Sequence, residues 1–257
     1  ALVAEVRPDV VYHLAGQADV AASWLSPIET MRVNVEGTHN ILEAARTFGV
    51  PKVLTVSSAD IYGVVTPEEL PIVESAPLRP VSPYAVSKAA ADLVALQAHL
   101  GHGQDVVRAR AFNHLGPGQS RSFVGAGFAA RIVVGERSGD DELQTGDLTP
   151  RRDFTDVRDV VRAYRLLATE GRPGVAYNIC SGTSVSIGEL AGLLLGLTDV
   201  RMRLVEDPDL LRPVELPELR GDASLLRRHT GWAPSISLDE TLSDVLEDWR
   251  LRLAEAQ

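Results

Sequence analysis

Tyr84 and Lys88 stand four residues apart in "SPYAVSK", Ser82 to Lys88, with a proline just before the tyrosine. Pro83 suits the first turn of a helix, and Ser82 suits its cap. The Ala- and Leu-rich run that follows predicts one long helix over 83–101. Residues i and i+4 share a helix face, so the phenol and the ammonium project side by side. A free tyrosine titrates near pH ~10, and a neighbouring cation favours its phenolate. Such a pair can act as general acid or base near neutrality. The plain alternative is an ordinary exposed pair, because YxxxK recurs by chance.

The elements around the pair alternate. Strands are predicted over 9–16, 52–58, 105–113 and 175–182, and helices over 29–49, 83–101 and 157–171. Near-continuous apolar strands separated by helices predict an α/β, Rossmann-like fold with a parallel sheet covered on both faces. Ligands of such sheets sit at the carboxyl ends of the strands. Three chemically rich stretches fall there: Ala15–Gln17, Ser57–Tyr62 and Asn113–Gly118. The texture changes at 117–152 and 183–257, which read as a smaller α/β substrate domain packed over that edge. Residues 1–116 and 153–182 then form the sheet domain.

Composition narrows the classes. A chain of 257 residues with 45% hydrophobic content holds one large domain or two small ones. A net charge of −10 argues against nucleic acid as the main partner. The single cysteine, Cys180, excludes an intrachain disulfide and points to a reducing cytoplasm. No stretch approaches the ~20 apolar residues of a membrane span, and no metal site is expected.

Seven segments occur in order: "HLAGQADV", "NVEGTHNILEAAR", "VSSADIYG", "SPYAVSKAAAD", "ARAFNHLGPG", "RRDFTDVRDVVRAY" and "YNICSG". Together they resemble the extended short-chain dehydrogenase/reductase family of nucleotide-sugar enzymes, over nearly the whole chain. "RPVELPELRGD" and "FNHLGPGQ" resemble most the branch of GDP-mannose 4,6-dehydratases and GDP-4-keto-6-deoxymannose reductases. The resemblance implies NAD or NADP as cofactor, a GDP-linked sugar as substrate, and a homodimer or homotetramer built on helices 29–48 and 83–100.

Its site residues carry over by motif. Ser58 would hydrogen-bond the reacting sugar oxygen; its plain alternative is a strand-end serine bonded to backbone. Tyr84 would deliver the proton, and Lys88 would lower its pKa and hold the nicotinamide ribose. Ala15, Gly16 and Gln17 would line the dinucleotide. Asn113, Arg152 and Arg212 would contact the diphosphate, each against the alternative of a surface group, and Glu215 the nucleoside end. Tyr62, Cys180 and His13 read as packing or structural residues, Asn34 as a mostly structural helix position, and His114 as a histidine capping a loop.

Asp60 stands where GDP-mannose dehydratases of the family place a glutamate, one methylene longer. Displacing a base by about an ångström can cost ~100-fold, so elimination is expected to be impaired and reduction favoured. UDP-hexose 4-epimerases share the triad, but "RPVE" weighs against them. The remaining alternatives are a GDP-mannose 4,6-dehydratase and a truncated, non-catalytic nucleotide-sugar binder. The second arises because no glycine-rich turn follows a strand in this chain. "GAGFAA", residues 125–130, has the glycine spacing but follows a polar loop. The resemblance therefore implies about two βα units before Ala1, carrying the pyrophosphate turn and the residue that selects NAD or NADP.

Overall fold

The computed structural model describes residues 2–211, 214 and 216–255. Helix α1 (Leu2–Val6) leads to strand β1 (Val10–His13). Helices α2 (Val20–Leu25), α3 (Pro27–Met31) and α4 (Gly37–Thr47) cross to β2 (Lys52–Ser58), and α5 (Pro83–His102) crosses to β3 (Val106–Ala111). Strand β4 (Asn113–Leu115), α6 (Val124–Ser138), β5 (Glu142–Thr145), β6 (Arg151–Arg152) and β7 (Phe154–Asp156) follow. Then come α7 (Val157–Glu170), β8 (Ala176–Ile179), β9 (Val185–Ser186), α8 (Ile187–Gly196) and β10 (Arg203–Glu206). Strand β11 (Glu218–Leu219) and helices α9 (Ser224–Thr230) and α10 (Leu238–Glu255) complete the fold. The main sheet has the order β1-β2-β3-β8, and every pair in it is parallel.

Local chemistry explains the elements that carry the site. Ser82 Oγ accepts the Ala85 amide at 3.1 Å, Pro83 occupies the first turn of α5, and Gly103 ends the helix in the left-handed region. The helical run expected over 29–49 starts at Pro27 and contains a π-helical turn at Arg32–Glu36. The strand expected over 105–113 stops at Ala111. Phe112 N still donates to Ile179 O, and Asn113–Leu115 then take β7 as a new parallel partner. The glycine run 125–130 lies inside α6, where a Cβ on Gly125 would stand 2.5 Å from Leu115 Cδ2. Close helix–strand packing accounts for that glycine, in agreement with its reading as a false fingerprint.

One core lies against the main sheet. It joins Leu54, Val107, Ile179 and Leu167 to Leu219, Leu226 and Trp232 from the carboxyl-terminal part. A second core gathers Phe128, Ile132, Leu190, Leu242 and Leu246 from α6, α8 and α10. Two arginines of β3 are buried: Arg108 donates to Asp92 Oδ2 at 2.6 Å, and Arg110 takes the same carboxylate with two nitrogens. Buried charge of this kind is tolerated because each guanidinium is paired.

Candidate active site

Ser58 is the last residue of β2, in register with Ala111 of β3. Its Oγ accepts the Asp60 amide at 3.2 Å and so starts the 3₁₀ turn Ala59–Tyr62. Tyr84, in the first turn of α5, is only 9% exposed, which removes the reading of a solvated pair. Its hydroxyl is directed towards the Ser58 side chain, which favours the phenolate. Burial pushes the tyrosine pKa up, the Asp60 charge pushes it further, and the nearby Ser58 side chain opposes both. Burial, not the pull of Lys88, thus sets the direction at Tyr84. Lys88 lies one turn on and donates to Val56 O at 2.6 Å. Loss of solvent brings its pKa down to about 8.

Gly16 belongs to the loop after β1. A Cβ there would stand 2.9 Å from Asn34 Oδ1 and 4.0 Å from Lys88 Nζ, so only a glycine leaves this cradle open. Asn34 holds the loop by both of its backbone groups. Its Oδ1 accepts the Gln17 amide at 2.8 Å, and its Nδ2 donates to Gln17 O at 3.0 Å. Nδ2 also donates to Ser87 Oγ at 2.8 Å, and Ser87 donates in turn to Tyr84 O. The π-helical turn thus ties the loop of Ala15–Gln17 to the helix of Tyr84 and Lys88. The sequence reading gave Asn34 only a structural place, since its two-sided clamp depends on a contact 17 residues away.

His13 ends β1 and donates to Thr38 Oγ1 at 3.1 Å, and burial and Lys88 both lower its pKa. Tyr62 is fully buried and donates to Asn178 Oδ1 at 2.7 Å, with Arg110 donating to it. Cys180 is a buried core thiol, and His114 bonds Phe112 O. All four serve packing or local geometry.

Asn113 opens β4, two residues beyond the partner of Ser58, and makes no side-chain hydrogen bond among the described residues. Arg152 in β6 is buried, and its Nη1 donates to Leu216 O at 2.7 Å. Asp153 beside it accepts the amides of Ser181, Gly182 and Gly221, so the arginine's strand is pinned to the ends of two others. Arg212 and Glu215 lie outside the described residues. The structure thus gathers Ser58, Asp60, Tyr84, Lys88 and Gly16 at one sheet edge, with Asn113 directly beyond β3. No group of His, Cys, Asp and Glu among the described residues could hold a metal, and no helix among them is long and apolar enough to cross a membrane.

The family described as GDP-mannose 4,6 dehydratase matches residues 1–245. The chain is 41% identical over 251 residues to GDP-6-deoxy-D-mannose reductase of Pseudomonas aeruginosa, covering 96% of this chain and 82% of that protein. It is 29% identical over 276 residues to GDP-mannose 4,6-dehydratase of Vibrio cholerae, covering 95% and 74%. A solved structure of RMD from Pseudomonas aeruginosa complexed with NADPH superimposes with a TM-score of 0.90 at 40% identity, over 95% of this chain and 82% of that one.

Proposed function

Because the chain belongs to the GDP-mannose 4,6-dehydratase family, we propose that it reduces the C4 ketone of a GDP-4-keto-6-deoxyhexose with a nicotinamide cofactor. The observation that carries this reading is the Ser58–Tyr84–Lys88 edge, with Tyr84 buried, beside the open Gly16 cradle. When bound, the nicotinamide supplies the hydride. Ala15, Gly16 and Gln17 would line it, and Lys88 would hold its ribose.

The chain's own residues do the rest. Tyr84 stays protonated at neutral pH because burial and the Asp60 charge disfavour its phenolate. It is therefore an acid, poised to give its proton to the C4 oxygen as negative charge develops there. Ser58 holds that same oxygen in line with the phenol. Asn113 and Arg152 orient the diphosphate, with Arg212 and Glu215 assigned by sequence. Residues 117–152 and 183–257 would contribute most of this nucleotide-sugar surface.

Tyr84→Phe should abolish turnover and leave binding of the GDP-sugar nearly intact, checked by steady-state kinetics and titration calorimetry. Normal activity in that variant would sink the assignment. A second reading, dehydration of GDP-mannose, rests on Asp60 beside Tyr84. It predicts a 4-keto product from GDP-mannose and NADP.

We also infer a homodimer. Helix α5 exposes Val86, Leu93 and Leu100 at a spacing of seven, next to Leu25 and Ile28 on α2 and α3. Exposed apolar side chains on packed neighbouring helices suit association with a second copy.

A further inference from the structure

The motif "FNHLGPGQ" gives Asn113 to the proposed site, and its second half, Gly116–Gln119, forms one turn beside it. The Gln119 amide donates to Gly116 O at 3.4 Å. Pro117 holds the second position and Gly118, with φ of 84°, the third, as a type II turn requires. Gly116 lies so close to α7 that a Cβ would stand 2.3 Å from Val157 Cγ1. The turn folds Gln119 back onto β4, where its Nε2 donates to His114 O at 3.0 Å.

Helix α10 grips the same turn. The Gly118 amide donates to Asp248 Oδ2 at 2.9 Å, and Arg252 Nη1 donates to Gln119 O at 3.1 Å. Arg252 is itself fixed, paired with Asp248 one helical turn back and with Cζ 4.0 Å from the centroid of the Trp249 ring. The same helix also holds β7, since Thr241 Oγ1 donates to Asp156 Oδ2 at 2.8 Å. Both strands of the β4–β7 pair are therefore fastened to α10. That pair sets the spacing between Asn113 and Arg152, because Asn113 is in register with Phe154, two residues after Arg152. Ser58, Tyr84 and Lys88 stand on β2 and α5, outside this clamp.

We infer that Gln119 is a positioning residue: with Arg252 it holds β4 so that Asn113 meets the substrate's diphosphate. The inference rests on the nucleotide-sugar reading above, from which the Asn113 contact is taken. Loss of the clamp should loosen the diphosphate and leave proton transfer alone. The test uses Gln119→Glu, which keeps the length but removes the donor, and Arg252→Met, which cuts the other end of the clamp. Each is titrated calorimetrically with GDP and guanosine, and assayed with a GDP-4-keto-6-deoxyhexose. Each should weaken GDP and raise KM by roughly 10-fold, with guanosine affinity and kcat unchanged. Gln119→Glu added to Asn113→Ala should lose no more GDP affinity than Asn113→Ala alone, because the clamp acts through Asn113. Wild-type GDP affinity and KM in both variants would overturn the role. So would losses that add in the double variant, or a kcat that falls as far as KM rises, since either pattern marks a general fastening. A wild-type protein that binds no GDP overturns the nucleotide-sugar reading, and the role with it.

Discussion

Tyr84 and Lys88 share a helix face but experience different surroundings. Burial and Asp60 keep the phenol protonated, whereas burial makes the ammonium easier to discharge. With its pKa near 8, Lys88 loses its charge as the pH rises through that value, while an unfolded lysine holds its proton to about 10.4. Between those values the unfolded chain binds more protons, so this group's contribution to stability rises with pH across the window. The hold on a ribose proposed for it should change the opposite way and weaken above pH 8. The chain has two lysines, Lys52 and Lys88, so side-chain NMR of lysine-labelled protein can follow the second directly. We expect a signal titrating near pH 8 that disappears in Lys88→Met. A Lys88 signal that titrates only above pH ~10 would mean the ammonium is solvated.

At the scale of elements, the decisive join is between the helical run 27–47 and α5. Asn34 faces both Gln17 and Ser87 because the π-helical turn shifts its position on the helix. Asn34→Ala removes three hydrogen bonds from a buried site. It should cost on the order of 2 kcal/mol in chemical unfolding. On the proposed assignment of the Ala15–Gln17 loop to the cofactor, it should also weaken nicotinamide binding more than GDP binding. Equal losses for both ligands would show that the clamp is only a general fastening.

For the whole molecule, the buried Asp92 network and the exposed α5 stripe make opposite demands. Asp92 is the shared ion-pair partner of Arg108 and Arg110 in β3. Asp92→Ala leaves two buried guanidinium groups unpaired and should lose roughly 3–5 kcal/mol in urea unfolding, with KM unchanged where protein remains folded. Leu93→Asp acts at the surface instead. It should yield monomers by light scattering with helix content intact, and an unchanged mass would remove the α5 stripe from the interface.

Much of this protein was legible in one dimension, because its signals are local. The cap at Ser82, Pro83 in the first turn and the apolar run of Lys52–Ser58 depend on neighbours within a few residues. The i, i+4 spacing alone put Tyr84 and Lys88 on one face. Other features depend on distant contacts that a sequence does not display. The break at Phe112 follows from a new partner in β7, and the Asn34 clamp from a turn that no propensity marks. The direction of the Tyr84 shift was misread for the same reason: spacing reveals the nearby ammonium, but only tertiary packing decides how much water is removed. Sequence by itself determined the fold class and that Tyr84 and Lys88 share one helix face. The tertiary structure decided their protonation, because desolvation belongs to the closed environment and not to any pair of residues.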